Sequence, residues 1–599
     1  MTNEAPTVSN KIVITGEGIV SAIGNDKVEV LQALLDGRSG IGEMKHLKSV
    51  HHELPVGEVK LSNDEMKTML GLSVDKTISR TSLMGMLAVR QALQEAEVDV
   101  ADPKRRIVLI TGTTVGGMDI TEQHFDTFAT SDEFIGCLKK HDCGSCTEEI
   151  ASTFGITTCT TISTACSSAA NAIILGANLL KTGQADLVIA GGTEALTRFH
   201  LNGFNSLMIL DHEPCRPFDA ERAGLNLGEG AAFVVMETEE SARQRDIGIH
   251  AWLTGYGNAC DAFHQTASSD EGKGAYLAMK EALEMARLAP EDIDYVNAHG
   301  TGTPNNDASE SVALKRIFIQ RLPYISSTKA FTGHTTSASG GIETVICLLA
   351  MQHGFIPANL RWEHQMPDGI TPSQGIKDCE LKHVICNSFG FGGNDSSLIF
   401  SAESWAEPES WGYESWGQVH DPIAVASKVE ITSEDELAEI RNYVKPIEAR
   451  RMGKIMKSAL LSSLKAIEQA GTGKPDAIVT ATAWGCLENS ERLLVQLQEE
   501  GEVMLKPTCF MQSTHNTISS AIAIFTKCHG YNVTYTHGKD SLQWALRDAE
   551  MLLRSGKARN VLVGLHDEST PLFRSLIKKV TGTDLPPIHS IAMILTCGE

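Results

Sequence analysis

Cys166 is the residue of this sequence whose type and setting most clearly indicate chemistry. An apolar, β-branched stretch ends just before it, and a run of small residues that favours a helix follows it up to residue 172. A thiol at such a strand-to-helix turn faces the first free N–H groups of the helix, and those groups and the helix dipole favour a thiolate. The sequence therefore predicts a cysteine nucleophile at this turn.

Three further motifs carry side chains that suit the same kind of catalysis. They are residues 297–303 with His299, residues 327–334 with Lys329 and His334 and then Glu343, and the glycine-rich residues 387–395. Taken singly, each motif is weak, because a lone histidine after a strand is more often structural and a glycine-rich loop is often only a tight turn. The sequence lacks the lysine-containing glycine loop of nucleotide-binding proteins, so phosphate binding by a P-loop is unsupported.

In this order, the four motifs resemble those of the β-ketoacyl-acyl-carrier-protein synthases, and among them the elongating type II ketosynthases of the thiolase superfamily. The resemblance covers about residues 11–402. It implies catalytic roles for Cys166, His299, His334 and Lys329, and supporting roles for Glu343, Phe391, Gly390 and Gly392, with Phe391 as the gating phenylalanine. It also implies that Thr301 and Thr303 contact the pantetheine arm of the carrier and that Val115 borders the acyl tunnel at the dimer contact. Ordinary packing at a strand end would explain a valine at position 115 equally well.

The reaction implied by this resemblance is a decarboxylative Claisen condensation. Cys166 takes an acyl group from an acyl-carrier protein, a malonyl thioester loses CO₂, and the resulting carbanion attacks the acyl-cysteine to give a β-ketoacyl carrier. Backbone N–H groups of Cys166 and near Phe391 would hold the oxyanion, and two neutral imidazoles would stabilise the enolate. The resemblance implies no metal or redox cofactor, because the substrates arrive on the 4'-phosphopantetheine of the carrier in fatty acid, polyene or polyketide elongation.

The details of the motifs narrow the resemblance. Thiolases use a second cysteine near the C-terminal loop, whereas Cys386 lies before that loop, at the end of the predicted strand. The Cys-His-Asn synthases, which start chains from acyl-CoA, lack the second histidine. After its two glycines the loop continues with Asn394 and Asp395, where the family usually has Thr-Asn, and this departure leaves the mobility of the loop open. Ketosynthases of the aryl-polyene type resemble the chain in this ending and in residues 141–144.

Two other functions stay open on the sequence alone. A non-condensing partner or scaffold, such as a chain-length factor, usually replaces the nucleophile, so the intact Cys166 argues against that function. An enzyme that stops at acyl transfer or at decarboxylation is compatible with the same residues.

The elements that must position these residues are alternating apolar strands and amphipathic helices, which indicate an α/β architecture. Together with the resemblance, they predict a thiolase-like fold of two duplicated α/β halves, layered αβαβα, at residues 1–255 and 256–404. A linker rich in Trp and Glu is predicted at 405–420. Its tryptophans, Trp405, Trp411 and Trp416, are expected to dock on a domain, since three exposed indoles would be an apolar liability.

Residues 421–599 repeat the first half in a degenerate form. Residues 480–485 resemble residues 111–116, residues 546–564 resemble residues 173–191, and the similarity stops at that point. Aligning Gly564 with Gly191 places Lys539, or its neighbours His537 and Gly538, at the position of Cys166. This second copy therefore has no cysteine where the first copy has its nucleophile.

The last domain also lacks any counterpart of residues 256–400, and so of His299, His334 and Lys329. It resembles the inactive partner domains called chain-length factors, although those are often complete folds. Two roles stay open for it: a pseudo-partner that shapes the acyl tunnel or the carrier-docking face, or a binding module for another subunit. The partner role is favoured because the repeated half forms the dimer in this family, which predicts a homodimer or a pseudo-dimer.

The whole chain of 599 residues has a net charge of −24, which argues against broad binding to nucleic acids or anionic membranes. No apolar run is long enough to cross a bilayer and the N-terminus lacks the pattern of a secretory signal, so a cytoplasmic location is predicted. Because carrier proteins are acidic, docking should use a local basic patch. The candidates are Lys67, Lys76 and Arg80, or Lys139 and Lys140.

The cysteines are read as reduced thiols, because fourteen of them occur without regular spacing. Cys143 and Cys146, with His141 beside them, form an incomplete zinc set, since no second pair completes four ligands. We expect a loop at this point, followed by a helix that begins near Thr147.

Overall fold

The computed structural model describes residues 11–128, 130–403, 422–503 and 505–597. The three tryptophans of the predicted linker lie outside these described residues, so their predicted docking is not addressed. Within the described ranges, no helix combines the length and the apolar character that a membrane span requires.

Strands and helices alternate along the chain, as the sequence predicted. The strands are β1 (Ile12–Ser21), β2 (Ile107–Gly112), β3 (Thr158–Ile162), β4 (Leu187–Glu194), β5 (Gly230–Thr238), β6 (Ala251–Cys260), β7 (Tyr295–Asn297), β8 (Tyr324–Ser326), β9 (Phe355–Ile356), β10 (Lys377–Asp378), β11 (His383–Gly390), β12 (Asn394–Ser401), β13 (Ile423–Ile431), β14 (Ala477–Ala481), β15 (Asn532–Tyr535), β16 (Asn560–Glu568) and β17 (Ile588–Cys597).

The α-helices connect these strands and cover the sheet. They are α1 (Lys27–Leu35), α2 (Asn63–Leu70), α3 (Arg80–Glu95), α4 (Met118–His124), α5 (Cys143–Phe154), α6 (Ser168–Lys181), α7 (Arg198–Ser206), α8 (Glu239–Gln244), α9 (Lys273–Ala286), α10 (Pro304–Ile317), α11 (Lys329–Thr332), α12 (Ser339–His353), α13 (Pro446–Ala449), α14 (Lys454–Ala470), α15 (Leu487–Glu499), α16 (Pro507–Met511), α17 (Thr517–Thr526), α18 (Ser541–Arg554) and α19 (Pro571–Thr581).

The catalytic part of the chain, residues 11–403, has the predicted duplicated architecture. Its first half orders the strands β3-β2-β4-β5-β1, and its second half continues across the β1–β6 pairing as β6-β12-β11-β7-β8. In the first half β3, β2 and β4 are parallel to one another, and β5 pairs antiparallel with β4 on one side and with β1 on the other. In the second half β11, β7 and β8 are parallel to one another. The thiolase-like fold predicted from the sequence is confirmed.

Helices α6 and α12 form the central layer between the two halves, while α3 and α9 cover the outer faces. Small residues allow this close packing. A Cβ on Gly340 would lie 2.9 Å from the backbone nitrogen of Ala170, and one on Gly112 would lie 2.6 Å from that of Ala169. The small-residue run after Cys166 is therefore a buried helix between the two halves of the catalytic domain, which fixes the position of its N-terminus.

The C-terminal domain, residues 422–597, repeats the first half strand for strand. Its order β13-β17-β16-β14-β15 corresponds to β1-β5-β4-β2-β3, with α14 and α18 in the places of α3 and α6. The predicted end of the repeat at Gly564 is wrong. Strand β16 continues to Glu568, and β17 then pairs antiparallel with it as β5 pairs with β4. The strand pattern persists there although the residue identities have diverged.

The two domains share one sheet. Strand β15 lies antiparallel to β3 with Tyr535 opposite Ile162. The backbone N–H of Ser163 donates to the Thr534 carbonyl at 2.9 Å, and that of Thr536 donates to the Thr161 carbonyl at 3.0 Å. The edge of the catalytic domain next to the nucleophile turn is thus paired within the same chain.

The cysteines at 143 and 146 correct one local prediction. Helix α5 begins at Cys143 rather than near Thr147, because the Asp142 side chain caps it by accepting from the Ser145 N–H at 2.9 Å. Cys146 Sγ lies 3.3 Å from the hydroxyls of Ser79 and Ser82, and burial raises the pKa of its thiol to about 12. The pair therefore belongs to a buried helix turn rather than to a loop.

Candidate active site

Cys166 lies in a one-turn 3₁₀ segment, Ala165–Ser167, between β3 and α6. Ala165 has a left-handed backbone with φ of +52°, and the Ser168 hydroxyl closes the turn by accepting from the Thr164 N–H at 2.9 Å and donating to the Ala165 carbonyl at 2.7 Å. The thiol is buried, with 5% of the residue exposed. Strand, turn and central helix thus hold the sulfur at a fixed point.

The thiolate expected at this turn is not the resting form of Cys166. Burial raises the pKa of the thiol to about 12, although the nearby Lys329 charge and the Phe391 backbone N–H act in the opposite direction. Desolvation of the charged form outweighs what the helix N-terminus and the ammonium group supply. The proton must therefore be removed by a neighbouring base when the cysteine reacts.

His334 is placed to be that base. Its Nε2 lies 3.0 Å from Cys166 Sγ, and its Nδ1 lies 3.1 Å from the Ser339 hydroxyl. The backbone N–H of His334 donates to the Asn226 carbonyl at 2.7 Å, which fixes the residue after α11. Burial and the Lys329 charge hold the pKa of His334 well below its usual range, so the imidazole is neutral.

His299 completes the pair of imidazoles, with its ring centroid 5.3 Å from that of His334. It follows β7, and its backbone N–H and that of Gly300 donate to the two carboxylate oxygens of Glu310, each at 2.8 Å. Burial and the charge of Lys329 keep the pKa of His299 well below its usual range. Glu310 thus holds the loop that carries His299, a role that sequence reasoning missed because a glutamate inside a helix pattern carries no signal of it.

Lys329 joins His299 to Glu343. Its Nζ donates to Glu343 Oε1 at 2.5 Å and lies 3.2 Å from His299 Nδ1. Because an ammonium group can only donate, His299 Nδ1 must accept, and the ring proton is then on Nε2. Burial raises the pKa of Glu343 to about 7, with Lys329 opposing the shift.

The gate loop, residues 390–394, joins β11 to β12 beside the nucleophile. The backbone N–H of Phe391 is directed at the Cys166 thiol, and its ring stacks on Phe204 at a centroid distance of 5.6 Å. Gly392 and Gly393 have φ of +84° and +76°, a conformation that favours glycine. A Cβ on Gly390 would lie 3.1 Å from the Cys166 nitrogen, so this glycine permits the close approach of the loop.

Three predicted residues lie around this centre without touching the thiol. The hydroxyls of Thr301 and Thr303 lie 2.8 Å apart, and the Thr301 N–H donates to Asp307 at 3.0 Å. Val115 is buried in an apolar cluster that includes Leu493 and Leu494 of the C-terminal domain. The contact of the threonines with pantetheine and that of Val115 with the acyl chain stay predictions.

The C-terminal domain keeps the nucleophile turn but not the nucleophile. The segment Gly538–Asp540 has the same form, with the Ser541 hydroxyl accepting from the His537 N–H at 2.7 Å and donating to the Gly538 carbonyl at 2.8 Å. Gly538 has the same φ of +52° as Ala165. Lys539 is therefore the positional counterpart of Cys166, and it is exposed.

The gate loop also contacts the C-terminal domain, through residues that sequence reasoning did not identify. Asn516 donates to the Phe391 carbonyl at 2.8 Å and to Asn394 Oδ1 at 2.7 Å, and Asn394 in turn donates to Asn532 Oδ1 at 2.9 Å. Phe510 lies against Phe204 at a centroid distance of 5.1 Å. The only sequence signal for this contact was the unusual Asn394, whose partner lies more than a hundred residues away.

The same cluster has a donor set that a metal ion could use. The ligand atoms of Cys166, His299 and His334 lie within 4.8 Å of one another. The ammonium group of Lys329 beside His299 disfavours a second cation there by charge repulsion. The arrangement instead suits a buried nucleophile with one neutral base and one hydrogen-bond donor.

Three stretches of the chain match protein-family models. Residues 9–242 match the model "Beta-ketoacyl synthase, N-terminal domain" and residues 250–363 match "Beta-ketoacyl synthase, C-terminal domain". Residues 424–599 match a further model that is again described as "Beta-ketoacyl synthase, N-terminal domain".

Curated relatives and solved structures agree with these family matches. The chain is 32% identical over 413 residues to 3-oxoacyl-[acyl-carrier-protein] synthase 2 of Staphylococcus aureus (strain N315), covering 65% of this chain and 98% of that protein. The solved ishigamide ketosynthase/chain length factor is 29% identical with a TM-score of 0.61, covering 66% of this chain and 100% of that one. The PfaC keto synthase-chain length factor has a TM-score of 0.79 over 98% of this chain and 78% of its own, at 16% identity, a likeness of fold.

Proposed function

The chain belongs to the β-ketoacyl synthase family, and from this membership we propose how its own residues carry out the family's condensation. It is a carbon–carbon bond-forming acyltransferase that condenses an acyl thioester with malonyl-acyl-carrier protein. The observation that supports Cys166 as the acyl-bearing residue is the 3.0 Å distance from its Sγ to His334 Nε2, within one buried cluster with His299.

Acyl transfer to Cys166 begins with loss of the thiol proton to His334 Nε2. The sulfur then attacks the thioester carbonyl, and the N–H groups of Cys166 and Phe391 hold the oxyanion. The carbon–sulfur bond to the carrier breaks, and the departing pantetheine thiolate takes the proton back from His334. The base is competent because burial keeps its imidazole neutral.

Decarboxylation of the malonyl thioester follows in the same cluster. The bond to the carboxylate breaks, CO₂ leaves, and the electron pair forms an enolate whose oxygen accepts from Nε2–H of His299 and of His334. The Ser339 hydroxyl can donate to or accept from His334 Nδ1, so this ring can present a bare Nε2 in the first step and a protonated one here. The carbanion then attacks the acyl carbonyl and the Cys166 carbon–sulfur bond breaks. The released thiolate takes up one proton from solvent, which restores the thiol.

Lys329 acts by orientation in this scheme. Held by Glu343, its ammonium group fixes the tautomer of His299 that donates from Nε2. Each step uses only side chains of this chain and substrates carried on pantetheine, for which Thr301 and Thr303 are the predicted contacts. No metal or redox group enters the scheme.

Mass spectrometry of the intact protein tests the proposal. Incubation with an acyl carrier should add one acyl group, and peptide mapping should find it on Cys166. Subsequent malonyl carrier should release CO₂ and give a β-ketoacyl carrier. Cys166→Ala should abolish loading, whereas His299→Ala should still load the acyl group and lose decarboxylation. Acyl transfer or decarboxylation without condensation by the wild type would favour the partial reactions, and an unlabelled Cys166 would favour a scaffold.

The C-terminal domain is proposed to act as a built-in partner of the catalytic domain. Three contacts support this role: the β15–β3 pairing, the apolar cluster shared by Val115 and Leu493, and the packing of Phe510 on Phe204 next to the gate. In this arrangement the domain occupies the place of a second subunit and forms part of the wall near the acyl tunnel. Sedimentation as a single 64.7 kDa chain would agree with a pseudo-dimer.

The pathway and the cellular location are separate proposals. Fatty acid, polyene and polyketide elongation, including the aryl-polyene type, differ in the acyl groups that Cys166 must accept. Mass spectrometry of carrier-bound products made from a panel of acyl carriers distinguishes them. The cytoplasmic location is tested by cell fractionation.

A further inference from the structure

Five buried asparagines connect the C-terminal domain to both backbone segments that flank the Cys166 thiol. We call them the asparagine network: Asn171, Asn258, Asn394, Asn516 and Asn532. Each has at most 4% of its surface exposed. The first three belong to the catalytic domain and the last two to the C-terminal domain, so the network crosses between them.

On the gate side, Asn516 is the central residue. Its Nδ2 donates both to the Phe391 carbonyl at 2.8 Å and to Asn394 Oδ1 at 2.7 Å. The next turn of α17 brings Ser520 against Gly392, where a Cβ would lie 2.0 Å from the Ser520 hydroxyl. The gate loop therefore rests on the start of α17, with the carbonyl of Phe391 fixed by a side chain of the other domain.

On the nucleophile side, the network continues from Asn532. The Asn532 N–H donates to Asn258 Oδ1 at 2.8 Å, and Asn258 Nδ2 donates to Asn171 Oδ1 at 2.7 Å. Asn171 Nδ2 then donates to the Thr164 hydroxyl at 2.8 Å and lies 3.3 Å from that of Ser167. Thr164 and Ser167 border the turn that carries Cys166. The C-terminal domain thus reaches both the turn and the gate through hydrogen bonds between buried groups.

Amide side chains suit such a connection because an amide can both donate and accept. Asn516 itself donates twice, while its Oδ1 has no hydrogen-bond partner among the described residues. A buried polar group that loses its partner costs roughly 1–3 kcal/mol, so the network favours a single arrangement of the gate loop relative to the turn. Asn394 is one of the two residues at which the loop departs from the usual family sequence, and its amide is the group that both Asn516 and Asn532 contact.

We propose that Asn516 is a positioning residue for the reaction at Cys166. From the domain that has no nucleophile, it holds the gate loop so that the Phe391 N–H faces the thiol, where the oxyanion of acyl transfer forms. This inference rests on the proposed function of Cys166. It adds that the catalytic domain depends on a side chain of its inactive partner for the geometry of its own oxyanion site.

Asn516→Asp is the informative variant, because it keeps the shape of the side chain and replaces the donating amide by an acid. The ionised carboxylate faces two oxygens, those of Phe391 and Asn394, and repels them. The protonated acid can donate to one of them. The rate of acyl transfer relative to wild type should therefore be lowest at high pH and should recover as the pH falls.

The experiment measures acylation of Cys166 by intact-protein mass spectrometry, with a short acyl-pantetheine thioester as the acyl donor. For Asn516→Asp at high pH we expect kcat to fall about tenfold to a hundredfold, since loss of an oxyanion donor costs about a hundredfold or more and here the donor is only displaced. KM should stay unchanged, because Asn516 does not touch the substrate. Asn516→Ala should lose a similar factor at every pH.

Asn489→Asp is the matched control, because Asn489 is also buried in the C-terminal domain and donates to the Gln512 carbonyl at 3.1 Å without touching the gate loop. This variant should keep the wild-type kcat, and the ratio of its acyl-transfer rate to the wild-type rate should not change with pH. Thermal unfolding and far-UV circular dichroism verify that each variant is folded. If Asn516→Asp does not fold, Asn516→Ser, which keeps a donor on a shorter side chain, replaces it and should show a smaller loss than Asn516→Ala.

The outcomes separate this inference from the proposed function. A wild type that never acylates Cys166 refutes the proposed function. A wild type that acylates normally, together with folded Asn516 variants that match it in kcat at all pH values, overturns the positioning role alone. Equal losses in the Asn516 and Asn489 variants would also overturn it, since they would report a general effect on the domain.

Discussion

Lys329 lies between a carboxylate and an imidazole, and its position decides which nitrogen of His299 carries the proton. The cation is completely buried, and Glu343 is the acid that balances it at 2.5 Å. Glu343 Oε2 is buried without a hydrogen-bond partner among the described residues, so the carboxylate is satisfied on one side only. The donating form of His299 therefore depends on a single ion pair.

Glu343 should give the enzyme an acid limb in its pH profile. Burial raises the pKa of this carboxyl to about 7, so protonation within the working range removes the charge that holds the ammonium of Lys329. Since the ionised form is the competent one, decarboxylation of malonyl carrier should be full well above pH 7, should reach half of its maximum near that value and should be lost as the pH falls further. CO₂ release measured from pH 5.5 to 9 checks this limb.

Glu343→Gln is the control for that assignment. The variant should lose about tenfold in decarboxylation at pH 8, as expected for loss of one hydrogen bond to a charged group of about 1.5 kcal/mol, and its profile should be flat around pH 7. Retention of the same acid limb in the variant would mean that another group titrates. Acyl loading of Cys166 should change less, because that step relies on His334.

The catalytic roles of the site residues stay predictions, but their proximity was predictable because the four motifs occur in the order of the family they resemble and three of them carry a reactive side chain. Their ionisation states were not. A helix N-terminus suggested a thiolate at Cys166, but the sequence does not reveal how completely the thiol is desolvated. Glu310 and Asn516 were missed for a related reason, since each acts through a backbone contact that depends on the tertiary fold.

At the scale of elements, much of the strand-helix order was predictable because strands such as β2 are continuous apolar runs and outer helices such as α14 are periodic. The C-terminal repeat was recognised from short segments such as residues 480–485 and 546–564, and its end was placed too early. Strand β17 matches β5 in pairing rather than in residue identity, and pairing is set by neighbours that a sequence does not show.

Val115 is predicted to limit the length of the acyl chain at the contact between the two domains. Val115 precedes Gly116, which has a left-handed backbone and whose N–H donates to the Thr113 hydroxyl. In the C-terminal domain Gly485 has the same backbone form and donates to the Thr482 hydroxyl in the same way. Trp484, which precedes Gly485, is therefore the counterpart of Val115. Val115 is 3% exposed and lies against α15. A small side chain faces the interface on the catalytic side and a large one occupies the equivalent position on the other.

Val115→Phe should therefore shorten the products, because the larger ring would fill space that the acyl chain needs. Overpacking is expected to cost about 1–3 kcal/mol of stability, which thermal unfolding measures. Mass spectrometry of carrier-bound products should show a shift to shorter chains, while loading of Cys166 by an acetyl group stays within about twofold of wild type. Unchanged product lengths in a folded variant would contradict a tunnel at this position.

At the scale of the whole molecule, the C-terminal domain has adapted to the absence of a second half. In the catalytic domain α12 covers β1 and β5. In the C-terminal domain the corresponding strand β13 carries Lys428 and Glu430 opposite Met593 and Ile591, on the face shared with α18. Charged residues at this edge are exposed to solvent, which explains how half a fold can be stable without the layer that would cover it.

A basic segment of the C-terminal domain, residues 441–457, differs from the rest of this acidic chain. It contains six lysines and arginines and one glutamate. Lys445, Arg450 and Arg451 are exposed, and none has an ion-pair partner within the part of the chain that the structure describes. The patches considered from the sequence suit docking less well, because Arg80 is buried against Glu229, and Lys67 and Lys140 are paired with Asp64 and Glu149.

This segment lies next to the gate. The Arg451 carbonyl accepts from Gln512 at 2.9 Å, and Met456 contacts the side chain of Gln265, whose carbonyl accepts from the Gly392 N–H at 2.7 Å. An acidic carrier bound to the segment would therefore be close to the loop that its pantetheine arm must pass. Complementary charge of this kind speeds encounter and orients the partner.

Reversing two of these charges, with Arg450→Glu and Arg451→Glu together, should raise KM for malonyl carrier about tenfold, since like charges then face the acidic carrier. The value of kcat/KM with a malonyl-pantetheine thioester that lacks the carrier should not change. The matched control is Lys104→Glu together with Arg559→Glu. Lys104 lies before the start of β2 and Arg559 before the start of β16, so both are at the strand ends away from the nucleophile turn. Added salt should weaken carrier binding in the wild type more than in the Arg450 and Arg451 variant. An equal rise in KM for the control pair would mean that net charge, rather than this surface, governs the encounter.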